Sequence, residues 1–428
     1  MNVNSHQVLG LTNYRNLHML GDLPHRALQS LAETYGPIMS CPTIVVSSPQ
    51  AAELFLKTHD TIFASRPKFQ FASTWLMVNG FDWRNARKIC TLQLLTASKI
   101  ESFAPMRKEE VGLMVQSLKS SISIRLLEIG ETLTKLFHFQ TKIFSSIIYV
   151  LRNGLARRMK KVSRALDIVL ENIIKEHENI PSGQQDRQMD FIDMLLSLMN
   201  QPMNPNDEHA YILDRTKIKA IIIDMISGAY DTSAATIEWT FSELLRHPRV
   251  VKQVQVELEG VVGMNRMVEE TDLANLTYLD MVVKESLRLH PIGPLLAPHE
   301  SMEGIELNGY YVPKKSRIII NVWAIGRDPY VWSNNVEEFY PERFINSNID
   351  LKGRDFQLIP FGSGRRGCPG IHLGLTTIKY VIAQLLHCFH WALPSGMLPN
   401  DLDMTKKFGL SMRRAKHLYA MPTYRLLN

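Results

Sequence analysis

The sequence predicts a mostly α-helical protein whose strands are few and short. Three observations carry this. An apolar-periodic stretch runs from about Arg215 to Arg246 and is closed by Pro248. A second, Gly370–His390, follows a glycine-rich loop near the C-terminus. In the half of the chain after the first of these, strand-like runs are confined to Ile305–Val312 and Arg317–Asn321.

In chain order, Leu28–Thr34 reads as a helix that ends at Tyr35-Gly36-Pro37, and Thr43–Ser47 reads as a strand. Pro49 opens a helix over Ala51–His59, since its fixed φ suits a first helical position. Trp83–Cys90 is a short helix of mixed charge. Val162, Leu166, Val169 and Ile173 share one face and predict a helix over about Val162–Lys175. Pro, Gly, Gln and Asn mark loops between Pro181 and Gln188 and between Asn200 and His209. After the long helix, Leu279–Leu289 is stopped by Pro291. No internal repeat interrupts this order, and the pattern predicts one domain over residues 1–428.

Composition excludes several functions. The 428 residues carry a formal net charge of +6 and 45% hydrophobic residues, which is ordinary for a protein with a large core. Basic clusters such as Arg157-Arg158-Met159-Lys160-Lys161 read as solvated helix faces, and no nucleic-acid recognition motif accompanies them. The mild positive balance suits an acidic protein partner better. Cys41, Cys90, Cys368 and Cys388 are scattered, so no disulfide framework is expected and the compartment should be reducing. The longest apolar run, near Ile143–Leu151, is far shorter than a membrane span, and Met1–His6 lacks a signal-peptide pattern.

The chemistry centres on Cys368. It sits in Pro360-Phe361-Gly362-Ser363-Gly364-Arg365-Arg366-Gly367-Cys368-Pro369-Gly370, beside two cations and ahead of a helix. Such a thiol should be depressed in pKa and exist as thiolate. Glycines leave only backbone around it, so a flat, bulky cofactor can approach. A single cysteine thiolate on haem iron favours O–O cleavage. The loop also matches G-x-G-x-x-G literally, but no Asp or Glu lies between Asp355 and Asp401 to hold a ribose. A buried structural thiol describes Cys388 better than Cys368.

Other constellations are weaker alone. Ser227-Gly228-Ala229-Tyr230-Asp231-Thr232-Ser233 puts glycine and hydroxyls inside the long helix, at a cost of about 1 kcal/mol for the glycine. Local loosening there would leave a groove, with Asp231 and Thr232 as an acid–alcohol pair for proton delivery. Close helix packing at Gly228 is the alternative. Glu285 and Arg288, three apart, form either an exposed pair of little value or a buried brace joined by a second arginine, which Pro341-Glu342-Arg343-Phe344 offers. Trp83 and Arg87 share a helix face and together suit a carboxylate, unless Trp83 is core and Arg87 surface. His387 and His390 read as packing or cap residues.

Together these pieces resemble the cytochrome P-450 family of haem-thiolate monooxygenases, in particular the plant microsomal type. Phe361, Gly364, Arg366, Cys368 and Gly370 match its F-x-x-G-x-R-x-C-x-G signature. Glu285 and Arg288 match E-x-x-R, and Arg343 the third member of its buried triad. Asp231 and Thr232 match the oxygen-activation motif. Trp83 and Arg87 match W-x-x-x-R. The resemblance implies a helical haem domain with small β-sheets and haem b ligated by Cys368. It implies propionates held by Trp83, Arg87, His299 and Arg366. Weak pocket carry-overs are Ala229, Leu295, Leu296, Phe408 and Leu410. It further implies O2, a small lipophilic substrate, an NADPH-dependent reductase met by basic residues such as Lys88, and the endoplasmic reticulum membrane. Likeness is continuous from about Ala165 and patchy before. The family's anchor and hinge are absent, the N-terminal third reads as incomplete, and residues 120–154 read as atypical. Two other readings stay open: a relic without turnover, and an O2-independent rearrangement of oxygenated lipids on the same fold.

Overall fold

The structure is a computed structural model and describes residues 21–35, 38–40, 43–67, 81–120, 127–128, 155–179, 189–202, 211–333, 335–394, 396–409 and 411–427. They fall into two compact units. The larger gathers Met1–Pro67, Met106–Leu133 and Thr232–Asn428, and the smaller Lys68–Pro105 and Thr134–Asp231.

In the larger unit a first helix, Pro24–Tyr35, precedes strands β1 (Ile38–Ser40) and β2 (Thr43–Val46). Ser48 caps the next helix, Pro49–Glu53, by accepting the Ala51 N–H at 3.3 Å. That helix continues as one π-turn, Leu54–Thr58, with the His59 N–H donating to the Leu54 carbonyl at 3.0 Å. The sequence reading treats the whole stretch as a plain helix. A π-turn keeps the apolar face in place, so side-chain periodicity does not disclose it.

Strands β3 (Leu127–Glu128), β4 (His299–Glu300), β5 (Ile305–Leu307), β6 (Tyr310–Val312) and β7 (Arg317–Ile320) follow in order. β1, β2, β7 and β4 form one sheet, in that order. β2 and β7 run parallel, with Ile44 opposite Ile318 and Val46 opposite Ile320. β4 is antiparallel to β7, which places His299 opposite Ile318. The sheet buries Ile44, Val46, Ile318 and Ile320 against Phe55, Phe63 and Ile359. Each such side chain contributes about 1.5–3 kcal/mol. The helix Thr277–Leu289 precedes β4, and the last helix, Ile371–Cys388, leads into β8 (Phe389–Ala392). β9 (Lys406–Lys407) and β10 (Arg413–Arg414) form a hairpin, and β11 (Tyr419–Tyr424) lies between β3 and β8.

The smaller unit holds the helices Phe81–Ile89, Leu155–Glu178 and Phe191–Ser197. Arg215 pairs with Glu171 at 3.0 Å and Glu178 at 2.6 Å, and Lys219 with Asp167 and Glu171 at 2.8 Å each. These ties fasten the start of the long helix, Arg215–Arg246, to Leu155–Glu178.

The long helix passes from the smaller unit to the larger between Asp231 and Thr232. It is α-helical throughout, so the loosening expected around Gly228–Ser233 is corrected. The hydroxyls bond back without breaking the ladder: Thr236 Oγ1 donates to the Thr232 carbonyl and Thr240 Oγ1 to the Thr236 carbonyl, both at 2.8 Å.

Candidate active site

The Cys368 loop rests on the π-turn at Leu54–Thr58. Gly362 and Gly364 take φ of 70° and 65°, the left-handed region that other residues enter at a cost. A Cβ on Gly364 would run into the Leu56 carbonyl oxygen. The loop closes on itself through N–H donors: Gly362 to Ile359 O at 2.9 Å, Gly367 to Gly364 O at 3.0 Å and Cys368 to Phe361 O at 2.9 Å. Phe361 is half-buried, while Cys368 is exposed. A Cβ at Gly370 would lie 4.0 Å from its sulfur. The geometry presents a thiol on a surface of bare backbone.

Two arginines and a neutral histidine gather beside this loop, near Asp60, which Arg365 Nε meets at 3.2 Å. Arg366 Nε donates to the Ala64 carbonyl at 2.6 Å. His299, buried at the start of β4, has Nδ1 2.8 Å from Phe63 O. Both line one small recess, with Ala64 and Ser363. Arg66, also buried, donates to the carbonyls of Ala297 and Pro298, the latter at 2.8 Å. Burial pushes the His299 imidazole down to about 3, and the charges of Arg66 and Arg366 push the same way. A pair of carboxylates would suit such a place. Arg66 escapes the sequence reading; the one signal is Pro67, which forces extended backbone on the residue before it.

Glu285, Arg288 and Arg343 meet as a buried brace. Arg288 Nε and Nη2 each lie 2.8 Å from the Glu285 carboxylate, and Arg343 Nε lies 2.9 Å from it. The side chains of Glu285 and Arg288 are wholly buried, so the exposed pair is not what forms. The Tyr340 N–H adds a third donor to Glu285 at 2.9 Å. Arg288 spends Nη1 on the carbonyls of Gly326 and Val336, both at 2.7 Å. It also lines a recess with Gln357, Leu358, Ile359 and Pro360, the run that enters the Cys368 loop. One carboxylate thus orients two guanidiniums, each tied to loop carbonyls.

In the smaller unit Arg87 Cζ lies 5.7 Å from the Trp83 ring centre, and both side chains are half-buried. Neither is plain core nor plain surface. Asp231 is half-buried and Thr232 exposed. Asp224, Gly228 and Thr232, at steps of four, form an accessible stripe on an otherwise largely buried helix. Among the described residues, a Cβ on Gly228 would meet nothing within 4 Å, so none of them packs closely there. Asp224, missed by the sequence reading, is exposed by surface area, yet the protein packed around its carboxyl lifts it above the ordinary carboxylate value.

The remaining candidates are placed less tellingly. Ala229 and Leu295 are half-buried. Leu296 has φ of 48° and packs on the sheet's apolar cluster, with Cδ1 3.6 Å from where a Gly362 Cβ would stand. Phe408 stacks on His25 at 5.9 Å and is 39% exposed. Leu410 lies outside the described residues. Cys388 is buried, with its thiol pushed up to about 12, and His387 is buried with Nε2 2.9 Å from Arg266 O. His390 is exposed. His177, Asp190 and Asp193 stand close enough to share a metal ion, but Asp190 and Asp193 cap the helix Phe191–Ser197 and His177 leans on Asp190 at 2.8 Å.

Comparison with known proteins fixes the family. The family model described as cytochrome P-450 matches residues 9–137 and 117–420. Cytochrome P-450 CYP736A12 of Panax ginseng is 52% identical over 97% of this chain and 92% of its own length. Cytochrome P-450 71A1 of Persea americana is 39% identical over 93% of this chain and 89% of its own. A zebra fish cytochrome P-450 solved with abiraterone superposes with a TM-score of 0.81 at 23% identity, covering 95% of this chain and all of that one, which bears on the fold. The chain belongs to the cytochrome P-450 family. It is a haem-thiolate monooxygenase whose cofactor is haem b and whose substrates are O2 and a lipophilic compound. The family model matches in two pieces that overlap at residues 117–137.

Proposed function

We propose that this chain, acting as one functional domain over residues 1–428, oxygenates a small lipophilic compound of the plant secondary-metabolite kind. Electrons come from an NADPH-dependent reductase at the endoplasmic reticulum membrane. The likeness to plant enzymes supports the substrate class. Among the described residues no helix is long and apolar enough to cross a membrane. The observation that carries the reading is the Cys368 loop, with an exposed thiol, left-handed glycines and a recess lined by Arg366 and His299 at its side.

The residues fit haem: bare backbone around the sulfur gives a flat ring room, and Arg66, Arg366 and His299 suit its carboxylates. When bound, haem supplies the redox centre at which O2 is activated and one oxygen atom passes to the substrate. Cys368 is its ligand. Arg366 and His299, with Trp83 and Arg87, hold the propionates; Phe361, Gly364 and Gly370 shape the seat. Glu285, Arg288 and Arg343 keep the approach to the loop in register. Thr232 holds a proton donor in place and Asp231 relays protons to it. Ala229, Leu295, Leu296, Phe408 and Leu410 line the substrate side in this reading. Exposed Lys88 is offered to the acidic reductase.

The test is a reduced carbon-monoxide difference spectrum of the expressed chain. A thiolate-type Soret band is expected, and Cys368→Ser should abolish it while helix content stays. No band from well-folded wild-type chain would favour the relic, and turnover without NADPH the rearrangement. Thr232→Ala should keep the band and lower product formed per electron consumed by roughly 10- to 100-fold, toward the lower end of acid–base assistance.

A further inference from the structure

The Cys368 loop bends at a short stretch that carries a single side chain. Gly362 and Gly364 are both left-handed, at φ of 70° and 65°, and Ser363 lies between them. Glycine populates both signs of φ freely, so backbone alone holds such a bend loosely. The bend matters for the sulfur. The Cys368 N–H donates to the Phe361 carbonyl at 2.9 Å and closes a bridge around it, so a tilt at Ser363 reaches the thiol.

Ser363 is the N-cap of the single turn Gly364–Arg366. A serine in that position ordinarily accepts a backbone N–H of the helix it opens. This one does not. Its hydroxyl donates instead to the Gly353 carbonyl, and the residue is buried. Gly353 is shaped to receive it. Its φ is 78°, and a Cβ there would stand 2.7 Å from the Gly362 carbonyl oxygen and 3.2 Å from Ser363 Cα. The segment around Gly353 is itself fixed. Asp355 Oδ2 accepts the Asp350 N–H and Asp350 Oδ1 the Lys352 N–H, both at 2.7 Å, while Leu351 is buried. A hydroxyl that forgoes its local cap for a contact between two loops breaks a local preference, and such breaks gather at functional sites.

We propose that Ser363 is a positioning residue for Cys368: its hydroxyl latches the two-glycine bend to Gly353 and so fixes where the sulfur stands. The proposal rests on Cys368 being the haem ligand. Without the hydroxyl, the Gly353 carbonyl loses that donor and Gly362 and Gly364 are free to relax. The sulfur then parts from iron more readily while the fold stays. Gly353 acts on the same latch from the other side, because its missing side chain is what lets Gly362 and Ser363 press against it.

The test compares the haem-loaded full chain with Ser363→Ala, Ser363→Thr, Gly353→Ala and Thr240→Val. Thr240 serves as a control for lost stability: it is a buried hydroxyl on the long helix that donates to Ser286 Oγ at 2.7 Å. Each protein is reduced under carbon monoxide at a fixed urea concentration below its unfolding transition, with far-ultraviolet circular dichroism as the check on folding. The measured quantity is the ratio of haem with the thiolate-type Soret band to haem without it. Ser363→Ala should lower this ratio by roughly three- to tenfold, the equivalent of one hydrogen bond. Ser363→Thr keeps the hydroxyl on extended backbone, at φ of −147°, which suits a branched residue, and should restore the ratio. Gly353→Ala should lower it as Ser363→Ala does; if that variant does not fold, the two Ser363 variants still decide. Thr240→Val should lower the thermal midpoint and leave the ratio unchanged. A wild-type ratio in Ser363→Ala, an unrestored ratio in Ser363→Thr, or an equal loss in Thr240→Val would each overturn the proposal. A thiolate-type band that survives Cys368→Ser would instead remove the ligand assignment beneath it.

Discussion

Glu285 shows how much one carboxylate can organise. It accepts from two guanidiniums and one backbone N–H while wholly buried. Removing its charge would strand both arginines, and breaking a buried pair costs about 3–5 kcal/mol. Glu285→Gln should therefore yield little soluble, haem-loaded protein, measured as the ratio of Soret to protein absorbance. Arg66 is the complementary case. Arg66→Leu should leave far-ultraviolet circular dichroism unchanged and speed haem loss to an acceptor protein. Asp224 adds a pH signature. Its carboxyl sits at about 7, above the ordinary carboxylate value. Its folded form therefore favours the proton, and stability falls as pH rises from about 4 through 7. Asp224→Asn should gain thermal midpoint over wild type increasingly from pH 5 to pH 8; a constant difference would contradict it. Cys368, Glu285 and Arg288 are legible in the sequence because their neighbours in the chain are also their chemical context. Arg66 and Asp224 are not, because the role of Arg66 comes from carbonyls more than a hundred residues away and the shift at Asp224 from packing that no local pattern records.

At the scale of elements, the glycine loop and the π-turn beneath it behave as one fitted pair. Gly364 combines a φ of 65° with a carbonyl pressed where a Cβ would be. Gly364→Ala must strain the backbone and push the π-turn away, so a loss of at least about 1–2 kcal/mol is expected in denaturant unfolding. Gly228→Ala meets no described residue and should instead hold or raise helix stability. The contrast separates a glycine kept for shape from one kept for access. Sequence reading places the long helix at Arg215–Arg246, as it is in the structure, because Pro248 stops it and its apolar period is long. It misses the π-turns at Leu54–Thr58 and Cys90–Leu94, since one extra residue barely disturbs a helical face. It also misses the β9–β10 hairpin, whose strands are all Lys and Arg and carry no alternation.

For the molecule as a whole, buried neutral histidines set the acid limit. His25 and His299 are held at about 3 and His290 at about 4, chiefly by burial. Each takes up a proton on unfolding, so the stability present above pH 6.5 is lost as pH falls toward 4. Near pH 5 the logarithm of the unfolding constant should change by about three per pH unit from these three, and replacing His290 with Gln should bring it nearer two. The architecture carries a further consequence in time. β2 is complete once residue 46 is made, but its parallel neighbour β7 begins only at residue 317. At ordinary rates of about 5–20 residues per second, roughly 15–55 s separate the two on the ribosome. Throughout that delay Ile44, Val45 and Val46 have an unclaimed ladder edge, which invites pairing with other nascent chains. Slowing synthesis between these segments should therefore lower soluble yield in crowded expression, while a chaperone that shields apolar strands should restore it.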